Sequence, residues 1–290
     1  MNKKIYIILI AAVLYGISIP ISKIILQNDV QPVMLAAFTY LGAGIGLGLY
    51  NLFNKFALGK NINEPLTKKE LPYTLAMVIL DITAIILLMN GISLTNSANA
   101  SLLSNCEIAS TSIIALIFFK EYISKKLWTA IILIISAGMI LTFEGEGSLD
   151  FSLGSILVIA SYVCWGAENN CTKMISSKNT QEITIIKGLF SGIGSLIIAL
   201  MFGEHFPSFI WLFIIILMGF LSYGLSVAMY IKSQNHLGAA KTAAYFSTAP
   251  FFGVIFSLLI LGEKPGINFY ISLIIMLIAG IFISKDYNKN

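Results

Sequence analysis

Ten apolar runs, each about as long as a lipid bilayer is thick, leave this 290-residue chain almost no room for anything else. They fall at 5–26, 33–53, 72–94, 98–119, 127–143, 153–175, 180–203, 208–233, 239–261 and 267–284. A hydrocarbon core of about 30 Å takes about 20 helical residues to cross. Lipid offers the backbone no hydrogen-bond partner, and the runs lack the alternation of strands, so each is expected to be a transmembrane helix. Charged residues are 11% of the chain and mean hydropathy is +0.87. A soluble domain carries about 25% charge, so the solvent here is a membrane.

The runs repeat. Tyr15-Gly16 with Lys23 beyond it returns as Trp165-Gly166 with Lys173 at the same spacing. Glu121, Trp128 and Gly138 return as Glu263, Tyr270 and Gly280. The chain therefore reads as two five-helix units, 1–145 and 151–287. A unit with an odd number of crossings, copied in tandem, enters the bilayer from the opposite side the second time. Inverted repeats of this kind build secondary transporters, with the substrate site near mid-membrane where the copies meet.

Charge sets the orientation. All eighteen basic residues are lysine. With both termini cytoplasmic, fifteen lysines gather on the inner side, Lys23 and Lys264 lie outside, and Lys187 falls within the seventh run. That bias predicts a multi-pass protein of the cytoplasmic membrane. The net charge of +4 then reflects topology and contact with the lipid bilayer, not nucleic-acid binding. Met1-Asn-Lys-Lys before an apolar run resembles a signal peptide, but no small-residue cleavage site follows, so the segment is expected to be retained. Cys106, Cys164 and Cys171 have no metal-ligand spacing and read as packing residues; no metal, cofactor or catalytic centre is expected.

Loops are short. Asn61-Ile-Asn-Glu-Pro65 precedes Thr67-Lys-Lys-Glu70, a capping box for the third helix. Asn179 with Glu182 should open the seventh in the same manner, and the acidic turn Glu144–Asp150 joins the halves.

Two hairpins carry a resemblance. Asn90 through Glu107 to Phe119-Lys-Glu121, and Ile231 through Ala249-Pro250 to Leu261-Gly-Glu263, follow one pattern: a small-residue helix start, Glu-Pro at mid-helix, then Leu-Gly-Glu. The pattern resembles the EamA-like branch of the drug/metabolite transporter superfamily across essentially the whole chain. The first copy keeps Glu107 but has Ile108 for proline; the second keeps Pro250 but has Ala249 for glutamate. The resemblance implies an exporter or importer of small metabolites, with helices 1, 3, 4, 6, 8 and 9 around a cavity and helices 2, 5, 7 and 10 peripheral.

Polar stripes at helical spacing point the same way: Tyr15 and Ser18; Ser104, Glu107 and Thr111; Tyr223 and Tyr230; Tyr245 and Thr248. Single serines and threonines often only pack helices, so it is the parallel stripes with tyrosines that favour a cavity. Buried acids are costly enough to suggest function. Asp81 and Glu107 each lie about 15–18 Å deep on adjacent helices. Facing a cavity, they make a proton-binding site or a cation receptor; bonded to Asn90, Asn105 or a serine, they fix packing. Glu168 with Trp165 and Asn169 leans toward the cavity. Lys187 could pair with Glu168, but it lies near enough to the interface to snorkel, and that is the expectation. The glycines at 42, 44, 46 and 48 and at 188, 192 and 194 read as close-packing surfaces, within the chain or between two copies. Pro20 and Pro250 should kink their helices and could act as hinges.

The reading is an all-α, ten-helix secondary transporter, monomer or homodimer, moving a small polar metabolite by alternating access. An amino acid or related compound is favoured, with protons a candidate coupling ion and export preferred from the resemblance alone. Organic cations, nucleobases and nucleotide sugars are alternatives, the last disfavoured by scarce cavity cations. A lipid-modifying enzyme ranks low because His205 and His236 lie on opposite sides; a receptor or scaffold would tolerate loss of its buried acids.

Overall fold

The computed structural model describes residues 3–58, 66–143, 152–237, 242 and 245–287. Regular structure among them is helical: α1 (Lys3–Gly16), α2 (Ser18–Leu26), α3 (Pro32–Leu58), α4 (Leu71–Leu94), α5 (Ser97–Leu103), α6 (Cys106–Phe119) and α7 (Lys125–Thr142) in the first half. The second half has α8 (Leu153–Ile175), α9 (Thr180–Met201), α10 (Phe209–Met218), a π-helical segment Gly219–Leu225, α11 (Ser226–Leu237), α12 (Ala249–Ile260) and α13 (Ile267–Tyr287).

Among the described residues, eight stretches are long and apolar enough to cross a membrane: Ile5–Leu26, Pro32–Leu52, Leu71–Leu94, Ser97–Phe119, Lys125–Thr142, Gln181–Met201, Phe209–Tyr230 and Ile267–Lys285. This is a multi-pass membrane protein. The sixth expected run is an unbroken helix, α8, but Glu168, Asn169, Asn170 and Lys173 keep it from counting among the most apolar stretches. Its Trp165, Gly166, Glu168 and Asn170 are buried against protein. In the ninth run, α12 spans 12 residues, and 238–241, 243 and 244 lie outside the described residues. So do the acidic turn 144–150 and the loop 61–65.

The halves interleave rather than sit side by side. α4 packs on α8, α3 on α9, α7 on α13, and α5 on α12. The glycine runs bring α3 and α9 together within the chain. A Cβ on Gly188 would lie 2.6 Å from the Cα of Gly44, so only hydrogens permit this approach. Asn179 Oδ1 accepts from the N–H groups of Gln181 and Glu182 at 3.0 and 3.3 Å and so opens α9 as expected. The Thr67–Glu70 pair also forms, with the Glu70 carboxylate accepting from Thr67 N–H and O–H, but one turn ahead of α4.

Four helices are interrupted at mid-length: between α1 and α2 at Ile17, between α5 and α6 at Ser104-Asn105, within Gly219–Leu225, and before α12 at Ser247-Thr248. Three breaks share one local feature. A side-chain hydroxyl folds back onto the carbonyl three residues earlier: Ser18 onto Tyr15 at 2.6 Å, Ser104 onto Ser101 at 2.7 Å, Thr248 onto Tyr245 at 2.6 Å. Such back-bonding competes with the helical ladder and tightens the turn. Pro20 and Pro250 each stand two or three residues past a break, and their missing N–H groups leave the carbonyls of Gly16 and Phe246 without the i+4 donor, so the interruption lies in the turn before each proline. Each lies in the first turn of the segment after a break, where a missing N–H costs least.

Candidate functional site

The breaks surround a cavity of about 520 Å³ at the seam between the halves. Tyr15 of α1, Ser104 between α5 and α6, Tyr223 of the π segment and Phe246 ahead of α12 all line it. Its wall continues to Thr172 near the end of α8 and Ile183 at the start of α9, so it runs from mid-bundle toward that end.

One lysine organises the charges. Lys187 Nζ lies 2.9 Å from Glu168 Oε2 and 3.3 Å from Asp81 Oδ1. Asp81 is fully buried, and its Oδ1 also accepts from Tyr40 O–H at 2.8 Å and Trp165 Nε1–H at 3.0 Å. Thr172 donates to Glu168. Breaking such a buried pair by removing one partner typically costs 3–5 kcal/mol. Glu107 stands apart in the first turn of α6: Asn169 Nδ2 donates to its Oε1 at 2.7 Å. Asn169 also reaches Thr111 Oγ1 at 3.3 Å.

The expected site residues divide. Tyr15, Glu107, Trp165, Glu168, Asn169, Tyr223 and Tyr230 line the cavity, as does Pro250. Asp81 does not: Tyr40 and Trp165 stand on its carboxylate and face the cavity in its place. Ser18 and Thr248 are absent from the wall, and their hydroxyls bond back to the carbonyls of Tyr15 and Tyr245 beside the breaks. Asn105 bonds to Leu102 O at 2.9 Å and approaches Met276 Sδ of α13, turned from the cavity. Tyr245 lends its carbonyl to Thr248 and does not line it either.

The expectation for Lys187 is overturned. It does not snorkel; two facing carboxylates draw it inward, and its side chain is 25% exposed. Depth alone favoured the interface, and the missing information was which face of α9 it occupies. The lining helices differ too. α3 and α9 contribute Tyr40, Ala43, Thr184 and Lys187, whereas α4 contributes no lining residue among those described. The glycine contacts that press α3 onto α9 bring this pair in.

The two ends of the bundle are built differently. At the end where α4 turns into α5, Lys23 Nζ donates to the carbonyls of Ile92, Ser93 and Thr95 at 2.8, 3.2 and 2.8 Å. Glu263 accepts from Ser97 N–H and Ala98 N–H at 2.8 Å each. Glu204 accepts in the same way from Val33 and Met34 N–H at 3.2 and 2.6 Å. Carboxylates from the second half thus cap two helices of the first. At the other end Lys173 pairs with Glu121 near the surface.

Known proteins resemble this chain. An uncharacterized transporter of Methanothermobacter thermautotrophicus is 29% identical over 95% of this chain and 84% of its own length. The uncharacterized transporter YyaM of Bacillus subtilis is 24% identical over 58% of each chain. A crystal structure at 13% identity superposes over 98% of this chain and 99% of that one with a TM-score of 0.68, which speaks to the fold alone. The model of the EamA-like transporter family matches twice, over residues 2–143 and 152–285. On that match, which covers nearly the whole length, the chain belongs to the EamA-like transporter family.

Proposed function

We propose that this transporter is a ten-crossing carrier of the cytoplasmic membrane, built from inverted repeats 1–145 and 151–287, that moves a small polar metabolite by alternating access. An amino acid or a related amine is the favoured solute, and export the favoured direction. The observation that carries this reading is the cavity: about 520 Å³, largely apolar with a few polar and charged side chains, walled by interrupted helices, and extended toward one end of the bundle only. Discontinuous helices around a midplane site are the usual construction of carriers. Toward the other end, Lys23 and Glu263 tie the α4–α5 hairpin down. With lysines gathered on the cytoplasmic side, the cavity faces inward.

Counterflow tests this directly. Protein reconstituted into vesicles preloaded with excess unlabelled solute should concentrate labelled solute transiently, whereas a channel or a non-transporting receptor would not. Solutes for the assay come from a thermal-shift screen, since a ligand that binds only the folded state raises its melting temperature. A nucleotide sugar is the poorer candidate on a specific ground. The one cavity lysine among the described residues is already held by two carboxylates, leaving no cation for a diphosphate.

A further inference from the structure

We propose that the cavity recognises an organic cation, a protonated amine or alkylammonium group, with Glu107 as its counter-charge and the rings of Tyr15, Tyr223, Phe246 and Tyr230 as its wall. This rests on the cavity being the transport site, and it narrows which end of the solute is read.

The charge balance comes first. Three carboxylates, Asp81, Glu107 and Glu168, meet one ammonium at the seam, that of Lys187. Lys187 is engaged by Asp81 and Glu168. Glu107 has no ammonium within ion-pair distance among the described residues, and the neutral amide of Asn169 donates to it. An unpaired carboxylate this deep in a membrane protein is costly unless a cation or a proton meets it. A positively charged solute supplies what Glu107 lacks.

The wall is the second and independent observation. Tyr15 stacks obliquely on Tyr223 with ring centroids 5.7 Å apart and on Phe246 at 5.4 Å, and Phe246 meets Tyr230 edge-on at 4.9 Å. All four rings line the cavity. Aromatic faces attract cations, and more strongly when water is excluded. Anionic groups find the opposite environment: Lys187 is already paired, so a solute carboxylate would meet no uncommitted cation among the described residues. The site therefore favours an amine over the amino acid that shares its carbon skeleton.

Calorimetric titration of the purified full-length protein in detergent, with probes of one skeleton, decides the matter. The probes are isopentylammonium, 3-methylbutan-1-ol, 4-methylpentanoate and leucine, with tetramethylammonium as a bare alkylated cation. The expected result is saturable binding of a cation at least ten-fold tighter than the alcohol, the carboxylate or leucine. Glu107→Gln should weaken it ten-fold or more, Glu107→Asp should retain most of it, and Glu70→Gln, at an exposed turn, should leave it unchanged. No saturable binding by either cation, equal or tighter binding by leucine, the alcohol or 4-methylpentanoate, or an undiminished Glu107→Gln each overturns the proposal. Should Glu107→Gln fail to fold, the comparison of probes on the unaltered protein still decides. Cation binding without counterflow would sink the transport reading and leave the cation site standing; counterflow of solutes that carry no positive charge would do the reverse.

Discussion

Glu263, between the last two helices, holds the backbone N–H of Ser97 at 2.8 Å across the seam between the halves, and that of Ala98 at the same distance with its other oxygen. Both donors are among the N–H groups that a helix start leaves without an internal partner. Hydrogen bonds to a charged group contribute about 1.5–3 kcal/mol each. Glu263→Ala should lower the melting temperature and speed hydrogen exchange at Ser97 and Ala98 specifically. Glu121→Ala, whose carboxylate pairs with Lys173 near the surface, should leave those two amides as protected as before. Equal exchange in the two variants would show that the cap does not hold the hairpin.

Lys187 makes a sharper prediction because its partners cannot reach water. Lys187→Met leaves Asp81 and Glu168, 0% and 1% exposed, facing each other without a cation. A loss of about 3–5 kcal/mol follows from orphaning a buried pair. Lys187→Met combined with Glu168→Gln removes one of the two orphaned charges, while Asp81 keeps Tyr40 and Trp165 as donors. Folded yield by size-exclusion chromatography should collapse in the single variant and recover in the double. No recovery would mean that the lysine's packing matters more than its charge.

Two glycines separate steric need from mere helix composition. Pro20, four residues past Gly16, offers the Gly16 carbonyl no N–H, and α1 runs against α12 at this point. A Cβ on Gly16 would lie 2.4 Å from the carbonyl oxygen of Ala249, and one on Gly253 would lie 3.0 Å from the carbonyl oxygen of Gly16. Gly48 has nothing within 4 Å of its Cβ position. Gly16→Ala should therefore force α1 and α12 apart and lower the melting temperature by many degrees. Gly48→Ala should be neutral or stabilising by about 0.5–1 kcal/mol, since alanine is the better helix former.

These residues also show how far the sequence could be read. The glycine spacing of α3 and α9 announced a close contact, and a close contact within the chain is what it makes. Tyr15, Glu107 and Tyr223 are legible as cavity residues because they sit on polar stripes of otherwise apolar helices, and Trp165 because it shares a face with Glu168. The breaks were not legible. A serine that bonds back to a carbonyl looks in sequence like a serine that faces a cavity, so Ser18 and Thr248 were read as lining when their hydroxyls bond back to the backbone beside it. Lys187 was misread for a related reason: its depth is written in the sequence, but the carboxylates that face it come from α4 and α8. Lys23 counted only as a topological charge, and nothing local shows that its ammonium ends on the carbonyls of Ile92, Ser93 and Thr95.

At the exposed turn before α4, the hydroxyl and N–H of Thr67 hold the Glu70 carboxyl below the usual glutamate range. The sign follows from linkage: a carboxyl whose pKa is depressed on folding contributes stability above its unfolded pKa, and loses it as pH falls through the folded value. Thr67→Val removes the hydroxyl and should move the Glu70 titration upward, toward the ordinary value. Carboxyl-carbon NMR titration of the two proteins checks this; coincident curves would show that the hydroxyl does not set the shift.

Glu107 and Asp81 were paired in the sequence as two acids at similar depth, and their surroundings now assign them different phenotypes. Glu107 lines the cavity and accepts a hydrogen bond from Asn169, so Glu107→Gln preserves shape and hydrogen bonding while removing charge. Transport should be abolished or uncoupled, with insertion and melting temperature nearly unchanged. Asp81 stands behind Tyr40 and Trp165 and anchors both. Asp81→Asn weakens two charge-assisted bonds, each about 1.5–3 kcal/mol, and the hold on Lys187. It should cost stability first, and solute affinity only as far as the two rings drift. Melting curves and counterflow rates measured together on both variants separate the roles. An intact Glu107→Gln carrier beside a stable but inactive Asp81→Asn would reverse the assignment, and would place the acid essential to transport behind the wall.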